Sequence, residues 1–442
     1  MGEGNATLLK LRDSKRDVGA AKIDAALRAK SGAVVRLLQQ ERLARTRTSS
    51  ASASEGGAGA VPAGQHFCKW TLSRHWLHHF VRSTLSRYSC GVTTDLPEAA
   101  RPDHLTDALR RHGMLSTGRV RDVTTDAPRD LLMSRIVRLK LAYDGPAEKA
   151  PASLILKTWG PRDGVPEAWS AREVLFYDTV APATPASSLL RCFDAGWSPE
   201  TKAWHLLLED MTDSHCIAAD WPLPPTEPQC RAIVGVLARF HAAWWDRAPP
   251  GMSVGAQPAM AVARDLHQPL AGFWANLCDR LGDRMSGDRR RLYERFFAAP
   301  PHFTRLATAE NLSVVHGDAH VWNVFLPNDG RAGGERLFDW GAWRPGLPAI
   351  DLACMMAMHW FPERRRRFER PLLDHYHATL LASGVKGYDR AALDHDYRLA
   401  VLIQMTMPII WANIGIAASV WLYNFERIML AVDDLGCRDL LA

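Results

Sequence analysis

The sequence predicts an α+β fold with two lobes, a small antiparallel sheet followed by a larger and mainly helical part. Strand-like runs dominate residues 102–212, whereas residues 213–442 contain long amphipathic stretches with helical spacing. Within the second part, residues 313–340 are the exception, because their pattern predicts a polar loop followed by a hairpin. This order of elements is the basis for every assignment below.

The first lobe is predicted to contain five strands, with one helix inserted after the third. The strand-like runs cover residues 120–123, 134–143, 153–158, 190–197 and 203–208. A helix that starts near Pro102 precedes them. The inserted helix is predicted over residues 166–180 and carries Glu173, while Lys157 stands near the end of the third strand.

Residues 313–340 contain the candidate catalytic and metal-binding side chains. An apolar lead-in is followed by His316-Gly317-Asp318, then by Asn323, and the predicted hairpin ends at Asp339. Phosphoryl transfer needs a carboxylate that orients the attacking hydroxyl and accepts its proton. An amide oxygen and a second carboxylate are hard oxygen ligands of the kind that hold Mg²⁺ on phosphates. A hairpin with Asp and Asn in its turns explains each residue alone, but not the whole set.

The pattern His316-Gly-Asp318-x-x-x-x-Asn323, followed sixteen residues later by Asp339, resembles the catalytic core of the aminoglycoside phosphotransferase and choline kinase superfamily. These are small-molecule kinases. The resemblance covers about residue 100 to the end, and residues 421–441 are similar to the ecdysteroid-kinase-like subfamily. It implies a two-lobed protein-kinase-like fold with an antiparallel-sheet N-lobe and a larger, mainly helical C-lobe.

By this resemblance, Asp318 is the catalytic base or hydroxyl orienter. His316 fixes the catalytic loop by packing and hydrogen bonding, and Asn323 and Asp339 hold Mg²⁺. Asp351 is either a helix N-cap or a brace behind the catalytic loop. A protein kinase is disfavoured, because only eleven residues separate Asp339 from Asp351 and leave no room for an activation loop.

The resemblance also assigns the ATP site. Lys157 would neutralise the α- and β-phosphates, and Glu173 on the following helix would pair with it. Residues 206–212 resemble the hinge between the lobes, where main-chain groups meet the adenine edge. The expected lining residues are Glu209, Asp210 and Met211.

One departure from the kinase pattern concerns the phosphate cover. No glycine occurs between Gly118 and Gly145, so a glycine-rich loop of the protein-kinase type is absent. Backbone amides or Ser134 are the candidates to take its place.

The ends of the chain differ in character. Residues 1–50 hold eleven Lys and Arg against five Asp and Glu, a surplus that equals the net charge of +6 for all 442 residues. We therefore predict a basic extension and low-complexity linker over 1–64 and a packed helical extension over 65–101. The predicted N-lobe with its hinge spans 102–212, and the C-lobe spans 213–442.

Several patterns allow two interpretations. Residues 66–95 interleave aromatic and basic side chains, which favours a packing helix over nucleic-acid binding. His75 and His79 have the spacing of one helix face, but no third ligand follows. The uncharged run 399–425 predicts two buried helices broken near Pro408 or Gly415, rather than a membrane span.

Two further features bear on environment. The arginine run within 363–370 is interpreted as a solvated helix face. The eight cysteines form no CxxC pair and are expected to be reduced thiols of a cytoplasmic protein.

The expected activity is ATP-dependent phosphorylation of a hydroxyl on a small molecule, with ATP and Mg²⁺ as cofactors. Because residues 213–310 and 360–398 lack a dense acidic cluster, an apolar or amphipathic acceptor is favoured: an antibiotic, a steroid-like compound or another secondary metabolite. The role would be resistance, detoxification or biosynthesis. The alternative is a catalytically silent kinase-like module that binds a nucleotide or docks a partner. The oligomeric state stays open.

Overall fold

The computed structural model describes residues 97–131, 134–159, 172–249, 256–308 and 310–441. The basic extension, the helix over 66–95 and the pair His75 and His79 lie outside these residues. The domain boundaries therefore remain predictions. Within the described residues, the predicted α+β fold is confirmed, with a small antiparallel sheet and a larger, mainly helical part.

The first lobe is a six-stranded antiparallel sheet with the order β1-β3-β4-β6-β5, and β2 pairs with β3 at one end. The strands are β1 Arg119–Thr125, β2 Arg129–Asp130, β3 Arg135–Asp144, β4 Ser153–Trp159, β5 Cys192–Trp197 and β6 Trp204–Glu209. All five predicted strands are confirmed within two residues at each end, and the two-residue strand β2 was not predicted.

Alternation along the strands gives the sheet two apolar faces. Leu154, Leu156 and Leu207 face one hydrophobic cluster, which is closed by helix α1 (Pro102–Arg111). Ile155 and Leu206, which alternate with them, face the main core of the molecule. The sheet therefore carries α1 on one side and faces the main core with the other.

The helix that carries Glu173 differs from its prediction. Its described part begins with α2 (Arg172–Leu175) and continues as a π-helical turn over Phe176–Val180, where an α-helix was expected. Phe176 and Tyr177 are both buried within this turn. Phe176 stacks on Trp340 with ring centroids 3.9 Å apart, so tertiary packing sets the geometry of the turn.

The second lobe is mainly helical. Its helices are α3 Glu227–Ala243, α4 Ala256–His267, α5 Leu270–Leu281, α6 Gly287–Ala298, α7 Pro301–Ala307, α8 Ala349–Ala353, α9 Pro362–Ala382, α10 Arg390–Gln404, α11 Thr406–Asn413 and α12 Ala418–Asp434. Helix α3 is the central one, with Ile233, Val236 and Phe240 fully buried. It starts earlier than predicted because Thr226 and Gln229 form a capping box.

Two small sheets lie within the helical lobe. Strand β8 (Ser313–Val315) pairs with β11 (Arg344–Gly346). Strand β9 (Val324–Pro327) pairs with β7 (His215–Ile217) and β10 (Arg336–Leu337). The β9–β10 pair is the hairpin predicted within residues 313–340.

The uncharged run is divided among three helices, α10, α11 and α12, rather than the predicted two, and its second break lies near Gly415 as predicted. Helix α10 ends at Gln404, α11 ends at Asn413 before Gly415, and Pro408 lies in the first turn of α11, where a missing N–H costs nothing. Across the described part of the chain, no helix combines the length and apolar character that a membrane crossing requires.

The interpretation of 363–370 as a solvated face is wrong for Arg365, whose side chain is 1% exposed. Arg365 pairs with Glu369 on the same helix and with Asp434 at the end of α12. The arginine run therefore links α9 to α12 through ion pairs. Five cysteines of the described ranges are free thiols: Cys192, Cys230, Cys278, Cys354 and Cys437.

Candidate active site

The catalytic loop begins directly after β8 and turns at Gly317. This glycine has φ +81°, and a Cβ at this position would lie 2.2 Å from the carbonyl oxygen of Ala342. Both the left-handed conformation and the contact exclude a side chain. The turn leads the chain from the fully buried His316 to Asp318, which is partly exposed.

His316 is held on both sides of its ring. Nε2 donates to the carbonyl oxygen of Phe338 at 2.8 Å, and Nδ1 accepts the Asp318 N–H at 3.3 Å. The ring is fully buried against Trp340. Because both nitrogens are engaged, this geometry supports a positioning role for His316 rather than proton transfer to a substrate.

Asp351 braces this loop from behind. Its carboxylate accepts the backbone N–H groups of His316 and Gly317 at 2.7 and 2.8 Å and a third hydrogen bond from His241 Nε2 at 3.0 Å. The pKa of Asp351, which burial alone would raise, is lowered by these bonds. The N-cap interpretation is wrong, because the N-cap of α8 is Pro348.

Asp318 and Asn323 are linked to each other. Asn323 Nδ2 donates to the carbonyl oxygen of Asp318 at 2.9 Å, which leaves Oδ1 as the remaining polar atom of this amide. The Asp318 side chain is 34% exposed, so its carboxylate is accessible to an acceptor. His320 Nε2 lies 3.6 Å from that carboxylate, a neighbour that the sequence analysis did not single out.

The hairpin returns Asp339 to the same region. The Phe338 N–H donates to the Asn323 carbonyl at 3.2 Å, just before Asp339. Asp339 itself has φ +67° and is 48% exposed. A left-handed conformation is unusual for a residue other than glycine and is typical of functional loops.

Lys157 joins Asp339 to Glu173. Its Nζ lies 2.7 Å from Asp339 Oδ1 and 2.6 Å from Glu173 Oε2. Burial alone would lower the pKa of Lys157, but the two carboxylates raise it, so the amine is charged. The pKa of Glu173 is raised by burial, whereas the charge of Lys157 overcomes burial at Asp339 and lowers its pKa.

Residues not predicted from the sequence hold α2 against the Asp339 loop. The Trp340 N–H donates to Glu173 Oε1 at 3.3 Å, and the Trp343 indole donates to the Arg172 carbonyl at 2.7 Å. The tryptophan content was noticeable in the sequence, but no spacing indicated these partners. They determine where Glu173 and Lys157 lie relative to the catalytic loop.

The remaining predicted nucleotide residues lie on the first lobe. Ser134 is buried at the start of β3, next to residues outside the described set. Glu209 accepts the Arg191 N–H at 2.8 Å, and Met211 is buried in the main core. Roles for Ser134, Glu209, Asp210 and Met211 in nucleotide binding stay predictions.

The donor set fits a magnesium ion. Asp339 uses Oδ1 for Lys157, and Asn323 uses Nδ2 for Asp318, so one oxygen of each remains for a ligand. A carboxylate and an amide oxygen beside an exposed cleft are the hard donors that Mg²⁺ prefers. The positive charge of Lys157 and the loop carboxylates together suit a phosphate chain with its metal ion.

Residues 158–393, more than half of the chain, match the model of APH, the phosphotransferase enzyme family. The chain belongs to this family. The predicted superfamily, its protein-kinase-like fold and the prediction of a phosphotransferase are thereby confirmed. The closer similarity to ecdysteroid-kinase-like proteins remains a prediction.

Solved structures similar to this phosphotransferase include the ethanolamine kinase of Plasmodium vivax, with 9% identity and a TM-score of 0.46 over 72% of this chain and 83% of that one. The choline kinase of Streptococcus pneumoniae has 12% identity and a TM-score of 0.42, covering 75% and 99%. An aminoglycoside phosphotransferase in complex with ADP and hygromycin B has 16% identity and a TM-score of 0.41, covering 73% and 96%. No curated protein matches the chain at a significant level.

Proposed function

We propose that this phosphotransferase moves the γ-phosphoryl group of ATP onto a hydroxyl of a small molecule, with Mg²⁺. The observation that carries the proposal is the contact of Lys157 with both Glu173 and Asp339, at 2.6 and 2.7 Å. This contact places the lysine of the sheet within hydrogen-bond distance of two carboxylates, one on α2 and one in the hairpin loop. The complete set of Lys157, Glu173, Asp318, Asn323 and Asp339 argues against a catalytically silent module, which has no need of all five residues.

Each residue has a distinct task in this proposal. Lys157 places a fixed positive charge beside the phosphates, and Glu173 keeps that charge in position. Asn323 and Asp339 would hold the ion, which neutralises charge on the phosphates when bound. Asp318 orients the acceptor hydroxyl and takes its proton. Positioning and electrostatics supply most of the acceleration, and the proton acceptor contributes about 10²–10⁴-fold.

The side of the loop next to Asp318 favours an acceptor with an apolar surface. Trp322 lies within the catalytic loop, and its ring is 4.3 Å from that of Trp221. His320 and His359 pack edge to face at 5.5 Å, and each also contacts the ring of Trp322. Trp322 and His359 are buried, so Trp221 and His320, which are partly exposed, are the rings available to an apolar or amphipathic molecule through area burial and ring contacts. We therefore propose an apolar or amphipathic alcohol as the acceptor.

The proposal extends to the cell compartment and biological role. A cytoplasmic location is supported by five free thiols, of Cys192, Cys230, Cys278, Cys354 and Cys437, and by the proposed need for ATP. The acceptor, once identified, decides between resistance, detoxification and biosynthesis.

An ATP-consumption screen of the purified full chain against hydroxylated metabolites and antibiotics tests the proposal. Each compound is measured in parallel with Asp318→Ala, which serves as the blank for contaminating kinases. We expect Mg²⁺-dependent ADP formation with at least one acceptor in the native protein and none in the variant. Nucleotide binding without transfer to any acceptor would instead favour the catalytically silent module.

A further inference from the structure

Three potential metal ligands meet on the first lobe, outside the proposed active site. His104 Nε2 and His205 Nε2 each lie 2.8 Å from Asp194 Oδ2. One ligand atom from each of the three side chains lies within 4.8 Å of the others, and all three residues are partly buried. The helix α1 and the strands β5 and β6 contribute one residue each.

A β-bulge in β5 directs the Asp194 side chain towards His104 and His205. Cys192 pairs with Leu208 and Asp194 pairs with Leu207, so Phe193 is the extra residue in β5. As a result, Phe193 packs in the cluster closed by α1, and Asp194, its neighbour in sequence, also reaches α1 through His104. In a regular strand these adjacent side chains would point to opposite faces.

Gly196 makes room for the imidazole of His205. The two residues are paired across β5 and β6, and a Cβ on Gly196 would lie 2.5 Å from His205 Cε1. The ring therefore occupies the space that any other residue would fill. Lys157 pairs with Leu206, so it lies on the opposite face of the sheet, towards the proposed active site.

The carboxylate is anionic and fixed. Although burial alone would raise the pKa of Asp194, hydrogen bonds from His205 and His104 lower it to about 2. Arg111 Nη2 holds Oδ1 at 2.6 Å, which leaves Oδ2 directed at the two imidazoles. A side chain that holds one carboxylate oxygen while the other coordinates is a common outer-shell arrangement at metal sites.

We propose that His104, Asp194 and His205 form a binding site for one borderline divalent transition-metal ion, of which Zn²⁺ is the best candidate. Two imidazole nitrogens and one carboxylate oxygen are a ligand set that suits Zn²⁺, with water as the fourth ligand. In the metal-free state each imidazole donates its Nε2–H to Asp194. On binding, each Nε2 gives up its proton and turns its lone pair to the ion, while Nδ1 carries the ring N–H.

The consequence of the site is structural. The ion would tie α1 to the paired strands β5 and β6, which this helix otherwise contacts through apolar packing and side-chain hydrogen bonds. A ligand that binds only the folded state raises the melting temperature by mass action. The proposal does not depend on the proposed kinase activity.

Titration of the chelator-treated full chain with Co²⁺, a spectroscopic substitute for Zn²⁺, tests the site. We expect one equivalent to bind, with the visible absorption of a four-coordinate ion, and Zn²⁺ to displace it and raise the melting temperature. His104→Gln and His205→Gln should each lose the absorption and the Zn²⁺ shift. Gly196→Ala keeps all three ligands but should weaken both the Co²⁺ absorption and the rise in melting temperature with Zn²⁺. Circular dichroism verifies that each variant is folded.

Two controls remove other histidines. His75→Gln/His79→Gln removes the pair in the basic and aromatic extension, and His395→Gln removes an exposed histidine on α10. Both should bind Co²⁺ as the native chain does. Absence of stoichiometric binding to the native chain overturns the proposal, and so does an unchanged spectrum in either His104→Gln or His205→Gln. Mg²⁺-dependent ATP consumption should be unaffected in His104→Gln.

Discussion

Lys157 is buried between two carboxylates, and its effect on each of them is different. Glu173 is 4% exposed at its side chain, so its charge depends on the lysine for compensation. Asp339 is 48% exposed and has solvent as a second source of stabilisation. Removal of the lysine therefore leaves the buried Glu173 without its partner, which affects the fold. It also removes the positive charge beside Asp339, which affects the proposed chemistry.

Lys157→Met should abolish phosphoryl transfer and also destabilise the protein. Breaking a buried ion pair from one side costs about 3–5 kcal/mol, because the remaining charge is left without a partner. Denaturant unfolding measures this cost. Lys140→Met is the matched control, since Lys140 on the next strand pairs with Asp126 at the surface, where such pairs contribute about 0–1 kcal/mol. Equal losses in the two variants would contradict the assignment of Lys157.

Gly317→Ala should impair both folding and turnover. Gly330 in the hairpin loop is its matched control, because both glycines have positive φ, 81° and 70°, but only Gly317 has backbone within reach of a Cβ. The left-handed conformation costs about 1–2 kcal/mol in either variant. We expect Gly330→Ala to lose about this much stability and keep its turnover, whereas Gly317→Ala loses more stability and most of its turnover. Equal losses of stability and equal turnover in Gly317→Ala and Gly330→Ala would show that the contact with Ala342 is unimportant.

At the scale of elements, α7 contains a titratable group in an apolar setting. His302 on this helix stacks on Phe296 at 5.6 Å and packs against Phe303. Burial, with a smaller effect from the charge of His267, lowers the pKa of His302 to about 4. The folded state therefore holds this imidazole neutral at a pH where the unfolded chain already binds a proton.

His302→Phe should make the protein less sensitive to acid. Between the unfolded pKa near 6.5 and the folded pKa of about 4, the unfolded state binds more protons, so His302 lowers the free energy of unfolding as pH falls. The effect is about 1.4 kcal/mol per pH unit in this window. Unfolding curves at pH 7 and pH 5 measure it, with the exposed His395→Gln as the control. An unchanged pH slope in His302→Phe would contradict the buried, neutral state.

The elements also show what could be predicted from the sequence. Strand β3 was found because its apolar and charged residues alternate, and β4 because it is a short apolar run; both are local signals. The π-helical turn at Phe176–Val180 was not found, because its geometry follows the stack of Phe176 on Trp340, a partner that is distant in sequence. Arg365 was assigned to solvent for the same reason, since its partner Asp434 lies on another helix.

For the molecule as a whole, the order of strands and helices was enough to predict two lobes of different composition. The residues of the proposed site were assigned through the resemblance of their motif to a known family, and the fold brings Lys157, Glu173 and Asp339 together. The residues that hold these side chains in position were not predictable from the sequence. His241 and Trp340 lie far apart in the chain, and only the fold shows that one supports Asp351 and the other supports Glu173.

The central claim is that Asp318 and Asp339 serve one reaction in separate roles, acceptor activation and metal binding. Titration calorimetry of ADP with and without Mg²⁺, on the native protein, Asp318→Ala and Asp339→Ala, tests it most directly. Both variants should lose turnover, by about 10²–10⁴-fold in Asp318→Ala, which removes the proton acceptor. We expect Asp318→Ala to bind ADP with the native dependence on Mg²⁺, and Asp339→Ala to lose that dependence. A native dependence on Mg²⁺ in Asp339→Ala, or its loss in Asp318→Ala, would contradict the account.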